Sequence, residues 1–240
     1  IGAEEIAGHD MILCSGDNHK YLHLAKICKE TGQKLVFIIE YVTETRRQII
    51  FLDRTQNLPR KAYALLWMLN QERRRRHAFR LADGIQANGY PAFDAYRAIN
   101  ANAVLYLDNR LGEDMLATAD EMAARERRLL DGAPLRLIHS GRLETMKGSQ
   151  DLIPVARRLA AAGIDFELDI FGSGSLEAEI RKGIADHGLQ DRVKLNGVVD
   201  FETELVPFAR SHADIYLSCH RQSDPSCTYV ESMGCGLAVA

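Results

Sequence analysis

Between Leu135 and Ala240 short apolar runs alternate with stretches of helical periodicity, and this cadence constrains the fold more than any other feature of the chain. Leu135 to His139 reads as a buried strand. A helix follows from about Asp151 to Ala162, with Asp151 as N-cap, Pro154 in the first turn and Gly163 just past the end. Phe166 to Phe171 reads as a strand, and Leu176 to His187 as a helix with the stripe Leu176, Ile180, Ile184, closed by Gly188. Arg192 to Leu195 is a short strand ended by Asn196-Gly197. Phe201 to Ala209 is a helix, Ile215 to Ser218 a strand, Thr228 to Gly234 a helix and Leu237 to Ala240 a strand. Repeated β-α units of this length imply a parallel sheet with helices on both faces.

The first half repeats the theme with weaker signals. Met11 to Leu13, Leu35 to Ile39 and Val104 to Leu107 read as strands. Tyr21, Leu24, Ala25 and Cys28 have helical spacing with Gly32 beyond, Lys61 to Ala82 forms a long helix through Leu65, Leu66 and Leu69, and Glu113 to Leu130 forms a charged one. The break at Gly132-Ala133-Pro134 places the domain boundary between Asn109 and Pro134. The expected organisation is an α/β chain of two domains, 1–134 and 135–240, facing a cleft onto which the carboxyl ends of the strands open, where ligands bind in such sheets. The chain opens on Ile1 and stops within the apolar run Leu237 to Ala240, so a piece of a longer protein, incomplete at both ends, is expected.

Composition narrows the partners. With 46% hydrophobic and 26% charged residues and a net charge of −3, the chain offers no global basic field for nucleic acid. No apolar run has the length of a membrane span. The five cysteines are odd in number and lack C-x-x-C spacing, which argues against a disulfide framework or a zinc site and for the reduced thiols of a cytoplasmic protein. The eight histidines form no metal-ligand pair, so no metal site is expected. The run Arg73 to Arg76, extended by His77 and Arg80, is either a solvated helix face or a means of peripheral contact with an anionic membrane surface or a polyanionic acceptor.

Three turns in the second half carry groups suited to a diphosphate. Arg142 and Lys147 stand five apart in the loop after a strand, one able to grip phosphate oxygens bidentately and the other acting as a point charge. Gly172-Ser173-Gly174 follows a strand and opens a helix, although the third glycine of a dinucleotide fingerprint is absent. In the segment Ser223 to Glu231, Pro225 halts the chain and the amides of Cys227 and Thr228 start a helix. Glu231 lies a turn further in, where it can accept from ribose hydroxyls, and Asp224 can accept from sugar hydroxyls. Each group also has a bland explanation as a loop cation, a tight turn or a capped helix. His139, within an apolar run, and Cys219, Cys227 and Cys235 read as packing residues.

Taken together, Gly141-Arg142 with Lys147-Gly148, the Phe171 to Gly174 turn, Val193 to Val199 with Asn196-Gly197, and Glu231 followed by Met233, Gly234, Cys235 and Gly236 resemble the donor-binding domain of the group 1 retaining glycosyltransferases of GT-B fold. The likeness covers about the last 105 residues, and is looser in the first half, at Ala82-Asp83-Gly84 and Leu105 to Asn109. It implies two Rossmann-like domains and a metal-independent, cofactor-free transfer of sugar from a nucleotide-diphosphate sugar to a saccharide or lipid-linked acceptor. Cell-envelope polysaccharide assembly and a cytoplasmic, peripherally membrane-associated location are further implications. By position, Arg142 and Lys147 would bind the donor diphosphate, Glu231 the ribose, the amides of Cys227 and Thr228 the distal phosphate, and Val199 the nucleobase. Gly141, Gly172 and Gly174 would line the donor site. Ser223 stands where the family has a glutamate, which passes that role to Asp224, and Ala238 stands where it has proline. A nucleotide-sugar epimerase and a non-catalytic nucleotide-sugar binding protein are the alternatives. The base, the sugar, the acceptor and the oligomeric state are not encoded legibly.

Overall fold

The computed structural model of the chain describes residues 1–221 and 227–240, which form two compact units, Ile1–Asp108 and a second made of Asn109–Arg221 with 227–240. The sequence-based grouping placed 109–134 with the first half. In the structure that segment packs within the second unit, where Ala117 N–H donates to the Gly234 carbonyl at 2.8 Å and Arg125 donates to the Arg210 carbonyl at 2.9 Å.

The first unit runs α1 (Ala3–Ile6), β1 (Met11–Ser15), α2 (Leu24–Thr31), β2 (Lys34–Ile39), α3 (Thr43–Leu52), α4 (Leu58–Leu81), β3 (Gly84–Asn88), α5 (Gly89–Tyr96) and β4 (Ala103–Tyr106). Its strands are parallel in the order β1-β2-β3-β4. Strand periodicity sends Leu35, Phe37 and Ile39 to one face, where they bury against Leu24 and Cys28 of α2, Phe79 of α4 and Tyr96 of α5. On the other face Met11, Leu13 and Val104 are exposed.

Helix α4 starts at Leu58, three residues before the expected Lys61, because the Asn57 side chain accepts from Arg60 N–H at 3.1 Å and Pro59 fits the first turn. Its buried face is Met68, Gln71, Glu72, Arg75, Ala78 and Phe79, while Leu66 and Leu69 are exposed. The basic run is therefore not one solvated face. At about 100° per residue, four consecutive side chains point all round a helix, and Arg75 points inward, donating to Glu72 at 2.7 Å and to the Gly16 carbonyl at 3.0 Å. Glu72 also accepts from Arg76 at 2.8 Å and from Tyr96 Oη at 3.1 Å. Arg73, Arg74 and Arg80 remain exposed.

The second unit holds α6 (Ala119–Leu130), β5 (Leu135–Ser140), α7 (Leu152–Ala161), β6 (Phe166–Phe171), α8 (Glu177–Asp186), β7 (Val193–Gly197), α9 (Val206–His212), β8 (Ile215–Tyr216), α10 (Cys227–Gly234) and β9 (Ala238–Val239). The parallel sheet has the order β7-β6-β5-β8-β9. Both faces are covered, as the β-α cadence requires. Leu137, Leu168, Ile170 and Val193 meet Leu152, Ile153, Ala156, Ile180 and Ile184 of α7 and α8 on one side. Ile138, Phe171 and Tyr216 meet Val206 and Ala209 of α9 and Cys235, just past the end of α10, on the other.

Three local expectations change. The helix expected from Glu113 breaks into a 3₁₀ turn at Glu113–Met115 and α6, because Thr118 and Glu121 form a capping box that starts a new helix. Asp151 does not cap α7: its own backbone is helical and its carboxylate is engaged by Arg221. Phe201–Leu205 forms a π-helical turn before α9, nucleated by Asp200, which accepts from the N–H groups of Glu202 and Thr203.

Candidate functional site

The loops after β5, β6 and β7 are bonded to one another beyond the ends of their strands. Gly141 N–H donates to the Phe171 carbonyl at 3.1 Å, Leu143 N–H to the Ser173 carbonyl at 2.9 Å, and Gly172 N–H to the Gly197 carbonyl at 2.6 Å. Gly172 has φ +122°, and a methyl there would run into the Gly141 carbonyl, so glycine at this position lets two loops touch. Glu144 ties the same loops from the side, accepting from Ser175 N–H at 3.0 Å and Ser175 Oγ at 2.6 Å. Those bonds favour its carboxylate form and hold its pKa below the ordinary value.

Above these loops lies a cavity of about 330 Å³. Gly141, Arg142, Gly172 and Ser173 contribute its glycine and cation side. Val198, Val199, Phe201 and Leu205, all following β7, form an apolar wall. Thr228 and Glu231 face it from the first turns of α10, whose amides give that end a positive dipole. Six of the residues singled out from sequence thus share one cavity: Gly141, Arg142, Gly172, Val199, Thr228 and Glu231.

Of the others, Gly174, Cys227 and Lys147 are not among the residues lining it. Gly174 packs on the Leu143 backbone, and Cys227 is the first residue of α10. Lys147 ends a 3₁₀ turn, Thr145–Lys147, and is not among the residues lining the cavity. That turn is secured by Gly148 in the left-handed region (φ +72°), by Arg221 N–H donating to the Met146 carbonyl at 3.2 Å, and by the Arg221–Asp151 pair. Asp224, like Ser223, falls outside the described residues.

Arg110 was not singled out from sequence. It lies in an irregular stretch before Leu111, with no periodicity or motif to mark it. It lines the cavity and donates to Glu231 through Nε at 3.0 Å and Nη2 at 3.4 Å. Its guanidinium carbon sits 3.6 Å from the centre of the Phe201 ring. The Glu231 side chain is only 6% exposed and Arg110 is 59% exposed, so the carboxylate is desolvated beneath a cation that still faces solvent. Phe201 and Leu205 were read only as the start of a helix. Their apolar stripe carries no mark that it faces a ligand cavity as well as the core.

Other described polar groups near the sheet edge hold local structure. His139 is buried, its Nδ1 lies 3.0 Å from the Leu217 carbonyl, and burial followed by the charge of Lys147 lowers its pKa. Tyr229 Oη lies 2.6 Å from His220 Nδ1 and 2.9 Å from Ser218 Oγ, fastening the first turn of α10 to the segment after β8. Burial pushes the Cys219 thiol up to about 11 and, in β1 of the first unit, the Cys14 thiol up to about 12, which makes both poor nucleophiles. Among the described residues no group of three or more His, Cys, Asp and Glu side chains is placed to hold a metal ion, and no helix is long and apolar enough to cross a membrane.

A sequence model of the family described as "Glycosyl transferases group 1" matches residues 120–240. The chain is 30% identical over 133 residues to the alpha-D-kanosaminyltransferase of Streptomyces kanamyceticus, covering 53% of this chain and 34% of that protein. It is 44% identical over 64 residues to the amylovoran biosynthesis glycosyltransferase AmsK of Erwinia amylovora, covering 27% of this chain and 16% of that protein. The chain therefore spans about a third or less of these relatives' lengths. Among solved structures, Anabaena Alr3699/HepE in complex with UDP superposes over 99% of this chain and 60% of its own, with a TM-score of 0.65 at 16% identity. At that identity the likeness speaks for the fold alone.

Proposed function

The chain belongs to the group 1 glycosyl transferases, and from that premise we propose that its second unit holds a nucleotide-diphosphate sugar whose sugar the whole protein transfers to an acceptor hydroxyl. The supporting observation is the single cavity shared by Arg142, Gly141, Gly172, Val199, Thr228 and Glu231. Its cation and helix-tip side suits a diphosphate, its apolar wall suits a base, and Glu231 suits a ribose.

In this proposal Arg142 and the amides of Cys227 and Thr228 stabilise charge that develops on the departing diphosphate, a contribution made mainly in the transition state. Lys147 adds a second positive charge from the neighbouring turn. Asp224 is assigned to the sugar hydroxyls. Holding the acceptor oxygen against the anomeric carbon supplies much of the remaining acceleration. Hexosyl transfer with retention, without an enzymic nucleophile, is the form of the reaction we propose, in keeping with the family. The Erwinia relative is named for a biosynthetic glycosyl transfer, and we propose for this protein a role in cell-envelope polysaccharide or glycolipid synthesis at the cytoplasmic side. Exposed Arg73, Arg74 and Arg80 on α4 support peripheral contact with an anionic surface there.

A thermal-shift panel of UDP, GDP and ADP sugars tests the donor site. A specific donor raises the melting temperature in a dose-dependent way, by about 2.7 kcal/mol of stability at a hundred times its Kd. No shift with any donor at millimolar concentration removes the proposal. Product analysis of the whole protein with and without an acceptor separates transfer from epimerisation.

A further inference from the structure

We propose that Arg110 is the stacking platform for the donor's nucleobase, an inference that rests on the donor-site proposal above. A guanidinium is a flat cation with donors on its edge and two faces free to stack. Around Arg110 the edge and one face are both assigned. The edge is fixed by the two-point grip on Glu231, at 3.0 and 3.4 Å. One face is seated on Phe201, 3.6 Å from the ring centre, well inside the roughly 6 Å limit of a cation–π contact. The side chain lines the cavity with 59% of its surface accessible, beside the apolar wall of Val198 and Val199.

This arrangement differs from an ordinary ion pair. A carboxylate that needed only a counter-charge would be served by any cation, in any orientation. Here the buried Glu231 fixes the rotation of the plane and Phe201 fixes its tilt, so the cavity receives an oriented surface rather than a diffuse charge. A base entering beside Val199 meets that surface. A carboxylate has about four lone-pair positions, so Glu231 retains acceptors for the ribose while it holds Arg110. One carboxylate would then serve two adjacent parts of the same ligand.

Base stacking and simple charge are separable by ligand and by substitution. Calorimetric titrations of UDP, GDP, ADP and inorganic pyrophosphate are compared for wild type, Arg110→Lys and Arg110→Ala, with circular dichroism confirming that each variant is folded. The platform predicts that Arg110→Lys, which keeps the charge and loses the plane, lowers nucleoside diphosphate affinity roughly 5- to 100-fold, the range for one base stack, while pyrophosphate affinity stays within about two-fold by the same reasoning. Arg110→Ala lowers the ratio of nucleoside diphosphate to pyrophosphate affinity by at least as much. Wild-type nucleotide affinity in Arg110→Lys, or equal losses for UDP and pyrophosphate, overturns the platform and leaves the donor site standing. Wild type binding none of the four ligands removes both proposals.

Discussion

Arg221 grips Asp151 with two hydrogen bonds of 2.7 Å each, from Nε to Oδ2 and from Nη2 to Oδ1. The pair joins the segment after β8 to the 3₁₀ turn that precedes α7, directly after the turn bearing Lys147. Both partners are partly exposed, at 44% and 33%, so solvent screens the pair and its loss costs at most about 1 kcal/mol of stability. In the proposed donor site its role is to hold the turn that carries Lys147. Arg221→Ala should leave the melting temperature almost unchanged and weaken several-fold the binding of whichever nucleotide sugar the wild type takes, by loosening the Lys147 turn. Undiminished affinity in this variant would show that the clasp does not support the donor site.

Gly148→Ala tests the same turn from the backbone. The residue has φ +72°, and an added methyl would run into the Cys219 carbonyl. The left-handed backbone alone costs roughly 1–2 kcal/mol for a residue with a Cβ, and the clash adds to it. Chemical denaturation should show a clear loss of stability, accompanied by weaker nucleotide binding. A variant as stable as wild type would contradict the packing described.

The anchoring of α6 depends on Asp214. This buried carboxylate accepts from Arg128 and from Arg136 N–H at 2.8 Å, and lies 3.8 Å from Arg125, whose pKa burial lowers. Asp214→Ala leaves guanidinium groups in a half-buried site without their anion. Removing one partner of a buried pair costs about 3–5 kcal/mol, and urea denaturation should register that order of loss. A change below about 1 kcal/mol, the scale of an exposed pair, would show that solvent or other acceptors satisfy the arginines.

His139 should set a pH dependence. Its folded pKa is lowered, chiefly by burial, below the ordinary 6.5, so the unfolded chain binds a proton more readily. The stability it contributes is fully present above pH 6.5 and is lost as pH falls toward and through the folded pKa. Urea melts across pH 5 to 8 should show this loss in wild type and a reduced loss in His139→Gln. Identical pH profiles would assign the dependence to other groups.

Arg142→Ala addresses the chemistry. Losing a group that stabilises leaving-group charge typically lowers kcat by about 10²- to 10³-fold, and the whole protein carrying this change should fall in that range with little change in melting temperature. Wild-type turnover would remove Arg142 from the mechanism.

The second unit was legible chiefly through β5, β6, α7 and α8, whose apolar residues follow strand and helix periodicity. Phe166–Phe171 and the helix through Leu176, Ile180 and Ile184 lie where periodicity placed them. In the first unit β3, α3 and α5 left no such trace. β3 reads Gly-Ile-Gln-Ala-Asn and is a strand because its neighbours β2 and β4 pair with it on both sides. α5 begins on glycine with a proline two residues later, and α3 buries only Thr45. Of the cavity, the glycines, Arg142 and Glu231 were visible as motif residues, because their chemistry depends on local spacing. Arg110 was not. It reaches Glu231 across 121 positions of sequence, a distance that no local pattern encodes.

The mutual bonding of the β5, β6 and β7 loops carries a consequence for how donor preference could change within this scaffold. The floor of the cavity is in effect a prolongation of the sheet, and altering its outline would mean breaking ladder-like bonds on both sides at once. The side chains after β7, with Arg110 beside them, are under no such restraint. Variation that swaps one base or sugar for another is therefore expected to accumulate at that rim, over a floor that stays fixed.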